Sequence, residues 1–298
     1  MLYRLYIKGK SNHKPSNVFG TAIAVMNYYR KLKGRIGQKT KGLTCENRLR
    51  QTDIFICMEY EWLIKKEDAI FVDLGFGRYP TTTIETYKRL SIINPNIRVI
   101  GVEIDTERLL EAKRYEQPNV EFKLGGFNLP LKKDEFATII RCYNVLRQYP
   151  EGDFEPSIKT LCHYITDDGI IIEGTSDQYG RLTAFNIFGR SGDDIVKYGL
   201  AFGTNFNSAF YPRDFQSVLP KNYIQHITPG EWIYQFFDDW TASYYRAMSL
   251  KIPSERQLFY ETAIILHNEY GYNIVKSKRL LRRGFLIVKQ NGGVKKCC

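Results

Sequence analysis

The stretch "AIFVDLGFGRYPTTT", residues 69–83, decides the fold. It begins as an apolar run, the pattern of a strand buried on both faces, and from Pro80 it opens a helix, because a proline in the first turn gives up no needed N–H. Gly75 and Gly77 form the tight turn between the two. A dinucleotide fingerprint, G-x-G-x-x-G, would share the strand and the first two glycines, but Pro80 stands where the third glycine lets the helix close on the strand. No Gly-Lys-Ser/Thr follows, which excludes a P-loop. Asp73, directly before the turn, repels phosphate and suits a cationic or hydroxyl-bearing ligand.

Working outward, the chain alternates strand and helix with short turns, the pattern of a doubly wound parallel sheet. "TTTIETYKRLSII" is a helix, "IRVIGVEID" a second strand and "TERLLEAKRYE" a second helix begun by Thr106. "NVEFKLG" is a third strand, "FATIIRCYNVL" a fourth running into its turn, "DFEPSIKTLCHYI" a helix, and "GIIIEGT", after a stop at Asp168-Gly169, a fifth strand. Upstream, "ENRLRQTDIFICMEYEWLIKK" carries helical apolar faces that dock the N-terminal arm on the body. Downstream of Thr175 the expectation is a Gly- and Phe-rich pair of extended segments, a helical insertion over 231–270 and a late strand in "RGFLIVKQ". The aromatic run "EWIYQFFDDW", 231–240, reads as a satellite core before it reads as a pocket wall.

A strand ending Asp-x-Gly-x-Gly resembles motif I of class I S-adenosylmethionine-dependent methyltransferases, and the following segments match that family in order. "VIGVEID" resembles its second strand, "FKLGGFNLPL" the segment after strand three, "RCYNVL" the end of strand four, and "ITDDGIIIEGT" the Gly turn and fifth strand. "DLGFGRYPTTTIE", "GVEID", "GGFNLPL" and "NVLRQY" further resemble a bacterial methyltransferase-like group over about residues 40 to 180. The resemblance implies a Rossmann-like, doubly wound, mostly parallel α/β sheet with a basic N-terminal extension over 1–66, a methyltransferase-like domain over 67–298, and C-terminal elaboration from about 176. It also implies S-adenosylmethionine as cofactor. Asp73, Gly75 and Gly77 would form its turn, Glu103, with Asp105 as substitute, would accept the ribose hydroxyls, and Gly126 and Phe127 would lie along the adenine. Tyr143, Asn144 and Arg147, beyond strand four, would meet the acceptor; Asn144 orients an amine or hydroxyl and Arg147 an anionic group, or they cap and solvate the following helix. Two departures stand out: no acid follows strand three beside the adenine amino group, and the third family glycine is lost to Tyr79 or Pro80.

Charge divides the chain. Residues 1–50 hold 12 Lys or Arg and one acid, Glu46; residues 273–298 hold eight basic groups and no acid; residues 51–272 hold 23 basic and 31 acidic groups. Nucleic acid contact is therefore expected through residues 1–50 and 273–298, where cations interleave with Tyr28, Tyr29 and glycines, with RNA the favoured acceptor; the plainer alternative is a solvated arm that balances the acidic body. No Asn/Asp-Pro-Pro-Tyr/Phe, Pro-Cys or Asp-Pro-Trp-Pro string marks a particular base as substrate. Six cysteines and four histidines lie scattered without metal-ligand spacing, so no metal is expected, and Cys297-Cys298 reads as a frayed tail. With no long apolar run and no signal-like N-terminus, a soluble cytoplasmic protein is expected. Methyl transfer is the first functional expectation and a non-catalytic cofactor-sensing or RNA-binding protein the alternative. Aminopropyl transfer fits poorly, since strand four ends in "RCYNVLR" rather than in acids.

Overall fold

The structure, a computed structural model, describes residues 34–192 and 194–289. Residues 1–33, position 193 and residues 290–298 lie outside it, and with them most of the basic arm, His13 and the Cys297-Cys298 pair. Residues 34–66, expected within an N-terminal extension, belong to the compact unit that begins at Gly34. Their helices α1 (Arg50–Glu59) and α2 (Glu61–Ile64) bury Phe55, Ile56, Leu63 and Ile64 in the main core.

One sheet of eight strands organises the unit: β1 (Ile70–Leu74), β2 (Arg98–Glu103), β3 (Val120–Leu124), β4 (Ala137–Tyr143), β5 (Ile165–Ser176), β6 (Leu182–Ser191), β7 (Asp194–Thr204) and β8 (Phe285–Lys289). Their order is β3-β2-β1-β4-β5-β6-β7-β8. The first five are parallel and the rest antiparallel. Chain order reverses between β1 and β4, and at that switch point the carboxyl ends of both strands frame a crevice, the usual ligand position of an open α/β sheet. The expected extended pair after Thr175 is β6 and β7, a meander that carries the sheet past its parallel half.

Alternating residues of the strands feed two faces. On one lie α1, α2, α3 (Thr81–Leu90) and α9 (Lys278–Arg283). On the other, α5 (Phe154–Cys162) covers the parallel strands. Beyond α5, the helix pair α7 (Trp232–Ser249) and α8 (Glu255–Tyr270) covers β6 to β8. The run at 231–240 is core, as expected: Ile233, Phe236, Phe237 and Trp240 are buried, the three aromatics against Phe202 of β7. The two remaining helices are α4 (Thr106–Ala112) and α6 (Lys221–Ile224).

Two boundaries differ from the sequence reading. Pro80 is the residue before the helix rather than its first turn, and α3 starts at Thr81. Asp168-Gly169 does not stop a helix ahead of β5. Ile165 already pairs with Ala137, and the next pair is Ile139 with Ile170, so residues 166–169 bulge out of a strand already begun.

Candidate active site

Gly75 and Gly77 adopt positive φ, 77° and 86°, which a side chain resists. Their turn brings backbone to the crevice floor. A Cβ on Gly77 would lie 2.6 Å from the carbonyl oxygen of Gly42, so the turn and the segment before α1 meet backbone to backbone.

Asp73 is buried, and its carboxylate is committed to the protein. Arg141, fully buried at the centre of β4, donates from Nε to Asp73 Oδ1 at 3.0 Å and from Nη2 to Oδ2 at 2.8 Å, while Thr83 Oγ1 donates to Oδ2 at 2.6 Å. Through Nη1, Arg141 also reaches Asp53 of α1 at 2.5 Å, and Asp53 in turn accepts from Arg89 and Thr86. Burial pushes the Asp53 carboxyl up against the pull of these cations. The motif acid thus anchors a buried ion network that ties β1, β4, α1 and α3 together. The sequence signal for it was an arginine inside the apolar strand "ATIIRCY", a position that demands counter-charges.

At the end of β2, Glu103 stands where a ribose partner was expected, with both oxygens engaged. Oε2 accepts from the N–H of Gly77 at 3.0 Å, and Oε1 accepts from those of Ile104 and Asp105 at 2.8 and 3.2 Å. Asp105 is the N-cap of α4, accepting from Arg108 N at 3.0 Å, and it pairs with Lys39. The Phe127 N–H, a candidate adenine donor, is spent on Ile36 O at 2.8 Å, and a Cβ on Gly126 would lie 2.0 Å from that oxygen.

The side of the crevice next to the glycine turn is open. A cavity of about 410 Å³ is bounded by the glycine turn, by Tyr143, Asn144 and Arg147 after β4, by Ser176 and Asp177 after β5, and by Ser217 and Val218 from the C-terminal elaboration. Tyr143 turns its hydroxyl to Thr183 Oγ1, 2.8 Å away, and burial raises its pKa, so it stays a protonated wall. Asn144, at φ 59°, accepts from Ser176 N at 3.1 Å and braces the ends of β4 and β5. It caps no helix. Arg147 is half-buried and makes one hydrogen bond, Nη1 to Leu219 O at 3.1 Å. Among the described residues it has no carboxylate partner, and burial lowers its pKa. Arg48 and Lys41 also line this space; of its two acids, Asp73 is neutralised by Arg141 and Asp177 by Arg181. The cavity is therefore cationic.

The residues present fit half of S-adenosylmethionine. Beside the glycine turn there is room for the amino-acid end, but between Glu103, Gly126 and Phe127 only about 20 Å³ remains. Residues 34–44 fill the difference.

The strand order and the crevice at its switch point define a Rossmann-like, mostly parallel α/β fold. No family model and no curated protein matches the sequence. Among solved structures it is similar to coclaurine N-methyltransferase bound to N-methylheliamine and SAH, at 15% identity over 55% of this chain and 52% of that one, with a TM-score of 0.34. It is also similar to the CMeT domain of citrinin polyketide synthase (17% identity, 42% and 34% covered, TM-score 0.36). A third likeness is to a TehB-like SAM-dependent methyltransferase from Corynebacterium glutamicum (17%, 56% and 77% covered, TM-score 0.33). The chain spans about half the length of the first of these. Among the described residues no helix is long and apolar enough to cross a membrane, and no cluster of His, Cys, Asp or Glu is arranged to hold a metal ion.

Proposed function

We propose that the chain transfers a methyl group from S-adenosylmethionine to a small acceptor bearing an acidic group. The observation that carries this reading is the cationic cavity at the switch point, bounded by the glycine turn on one side and by Arg147 and Asn144 on the other. The cofactor would supply an electrophilic methyl group. The protein's part is alignment and exclusion of water. Arg147, with guanidinium N–H groups to spare, holds the acceptor's anionic group; Asn144 fixes the end of β4 relative to β5; Tyr143, buried and protonated, is a wall and not a base. A cavity of this size suits a small molecule better than a polynucleotide. RNA as acceptor rested on the basic residues of both ends, nine of which lie outside the described structure, whereas Arg35, Lys39 and Arg48 of the described arm are engaged with the body.

The test is release of S-adenosylhomocysteine from S-adenosylmethionine in the presence of a panel of small carboxylic and phosphoric acids, each paired with its amide or neutral ester. Turnover with acids and not their neutral counterparts, lost in Arg147→Gln, is the expected result. Turnover only with RNA would return the acceptor to the polynucleotide class. The filled adenosine crevice favours a second reading, a non-catalytic protein on the same scaffold. Cofactor binding without turnover on any acceptor, or no cofactor binding at all, would support it.

A further inference from the structure

Residues 34–44, "GRIGQKTKGLT", occupy the stretch of the crevice beside Gly126 and Phe127, where the adenine was expected, and the groups on that side serve this segment. Ile36 receives the Phe127 N–H at 2.8 Å, and its own N–H goes to Asn128 Oδ1 at 2.7 Å. Asn128 closes the pairing by donating to Gly34 O at 2.6 Å. Gly37, at φ 135°, sits in the slot between Ile104 and Phe127: a Cβ there would lie 3.3 Å from Ile104 Cδ1, 3.5 Å from Phe127 Cδ2 and 3.0 Å from the Tyr149 hydroxyl. Tyr149 clamps the next residue twice, accepting from Gln38 N at 2.5 Å and donating to Gln38 O at 2.8 Å. Farther along, Arg108 donates to Thr40 O at 2.7 Å, and Gly42 O accepts from Arg78 N at 2.9 Å over the glycine turn.

The bonding is that of a segment able to leave. Three of its residues are glycines at positive φ, which regain much backbone freedom on release. Its one sizeable apolar anchor is Ile36, only partly buried against the core. Its ion pair, Lys39 with Asp105, has an exposed lysine and holds weakly.

We propose that residues 34–44 are an intramolecular competitor for the adenosine subsite, so that cofactor enters as the strap departs and the strap sets the apparent affinity. This inference rests on the methyl-transfer reading, because it takes S-adenosylmethionine and S-adenosylhomocysteine to be the ligands displaced by the strap. Gly37→Val would loosen the strap at its tightest point, since valine resists φ 135° and its Cβ meets the Tyr149 hydroxyl.

Calorimetric titration of the full chain with S-adenosylhomocysteine, in wild type and in Gly37→Val shown to be folded by circular dichroism, is one half of the test. Limited trypsin digestion, followed at Arg35, Lys39 and Lys41 with and without S-adenosylhomocysteine, is the other. Expected are binding up to about tenfold tighter in Gly37→Val, the full gain if the wild-type subsite is open about one tenth of the time, and faster cleavage at these three sites when ligand is present. Equal or weaker binding by the variant, or slower cleavage with ligand, would make the strap part of a closed cofactor site and overturn the inference while leaving the methyl-transfer reading intact. Absence of binding in both proteins would overturn that reading and the inference with it.

Discussion

Arg141 shows how a single side chain can redirect a motif. The acid of an Asp-x-Gly-x-Gly turn points to a ligand when read along the chain, and residues 73 to 77 were legible as far as the turn and its position after β1. What could not be read was the commitment of Asp73 to an arginine 68 positions away, because β4 joins β1 only across the switch point. The guanidinium lies between two buried carboxylates, and removing it leaves Asp73 without a cation and Asp53 with Arg89 alone. Arg141→Leu is expected to cost about 3–5 kcal/mol at neutral pH, the range for breaking a buried pair from one side, measured by urea unfolding. Asp53, which burial already pushes up, makes the deficit shrink as pH falls and its carboxyl protonates. A loss below about 1 kcal/mol, the range of an exposed pair, would show that the network is dispensable.

At the scale of elements, the parallel half followed from apolar runs and turn residues, and the antiparallel half was legible only as two extended segments and the late strand in "RGFLIVKQ", since Gly and Phe set no register by themselves. Pairing of β5, β6 and β7 gathers three polar groups that the sequence scatters. Glu173 of β5 accepts from Asn186 Nδ2 of β6 at 2.8 Å, and Lys197 of β7 lies 4.4 Å over the Tyr223 ring. Burial pushes Glu173 up to about 7 and Lys197 down to about 7. A raised acid contributes stability that is full below its ordinary value of 4.5 and is lost as pH rises through 7. A lowered lysine contributes stability that is full above its ordinary 10.5 and is lost as pH falls through 7. Glu173→Gln keeps the shape and removes the titration. Its stability relative to wild type should therefore rise between pH 5 and pH 8, by about 1–3 kcal/mol for a shift of this size. A difference that stays flat across that interval, followed by thermal unfolding at each pH, would remove Glu173 from the pH response.

Over the whole molecule, the charge division seen in the sequence takes a different meaning. Three cations in the described part of the basic arm go to the body: Arg35 to Ile104 O, Lys39 to Asp105, Arg48 to Ser176 and Asp177. Such contacts span from five dozen to more than a hundred positions, and no local pattern encodes them. The aromatic insertion was legible as core because a run of aromatics more often packs on itself than lines a pocket, though its seat on β6 to β8 needed the sheet order.

The bulge at residues 166–169 has a mechanical consequence. It lies at the amino end of β5, away from the cavity, with Asp167 and Asp168 in solvent, and regular pairing with β4 resumes at Ile170 and runs on to Gly174. The bulge thus works as an expansion joint: slack taken up there is not transmitted to Thr175 and Ser176 at the cavity rim. One glycine inserted after Asp167 should leave the melting temperature within about 2 °C, a surface-scale change of about 0.5 kcal/mol or less. The same glycine inserted after Ile171 would turn every following side chain of β5 to the opposite face and unfold the protein. Equal damage from both insertions would mean that the joint is rigid, and that the two ends of β5 move as one rod.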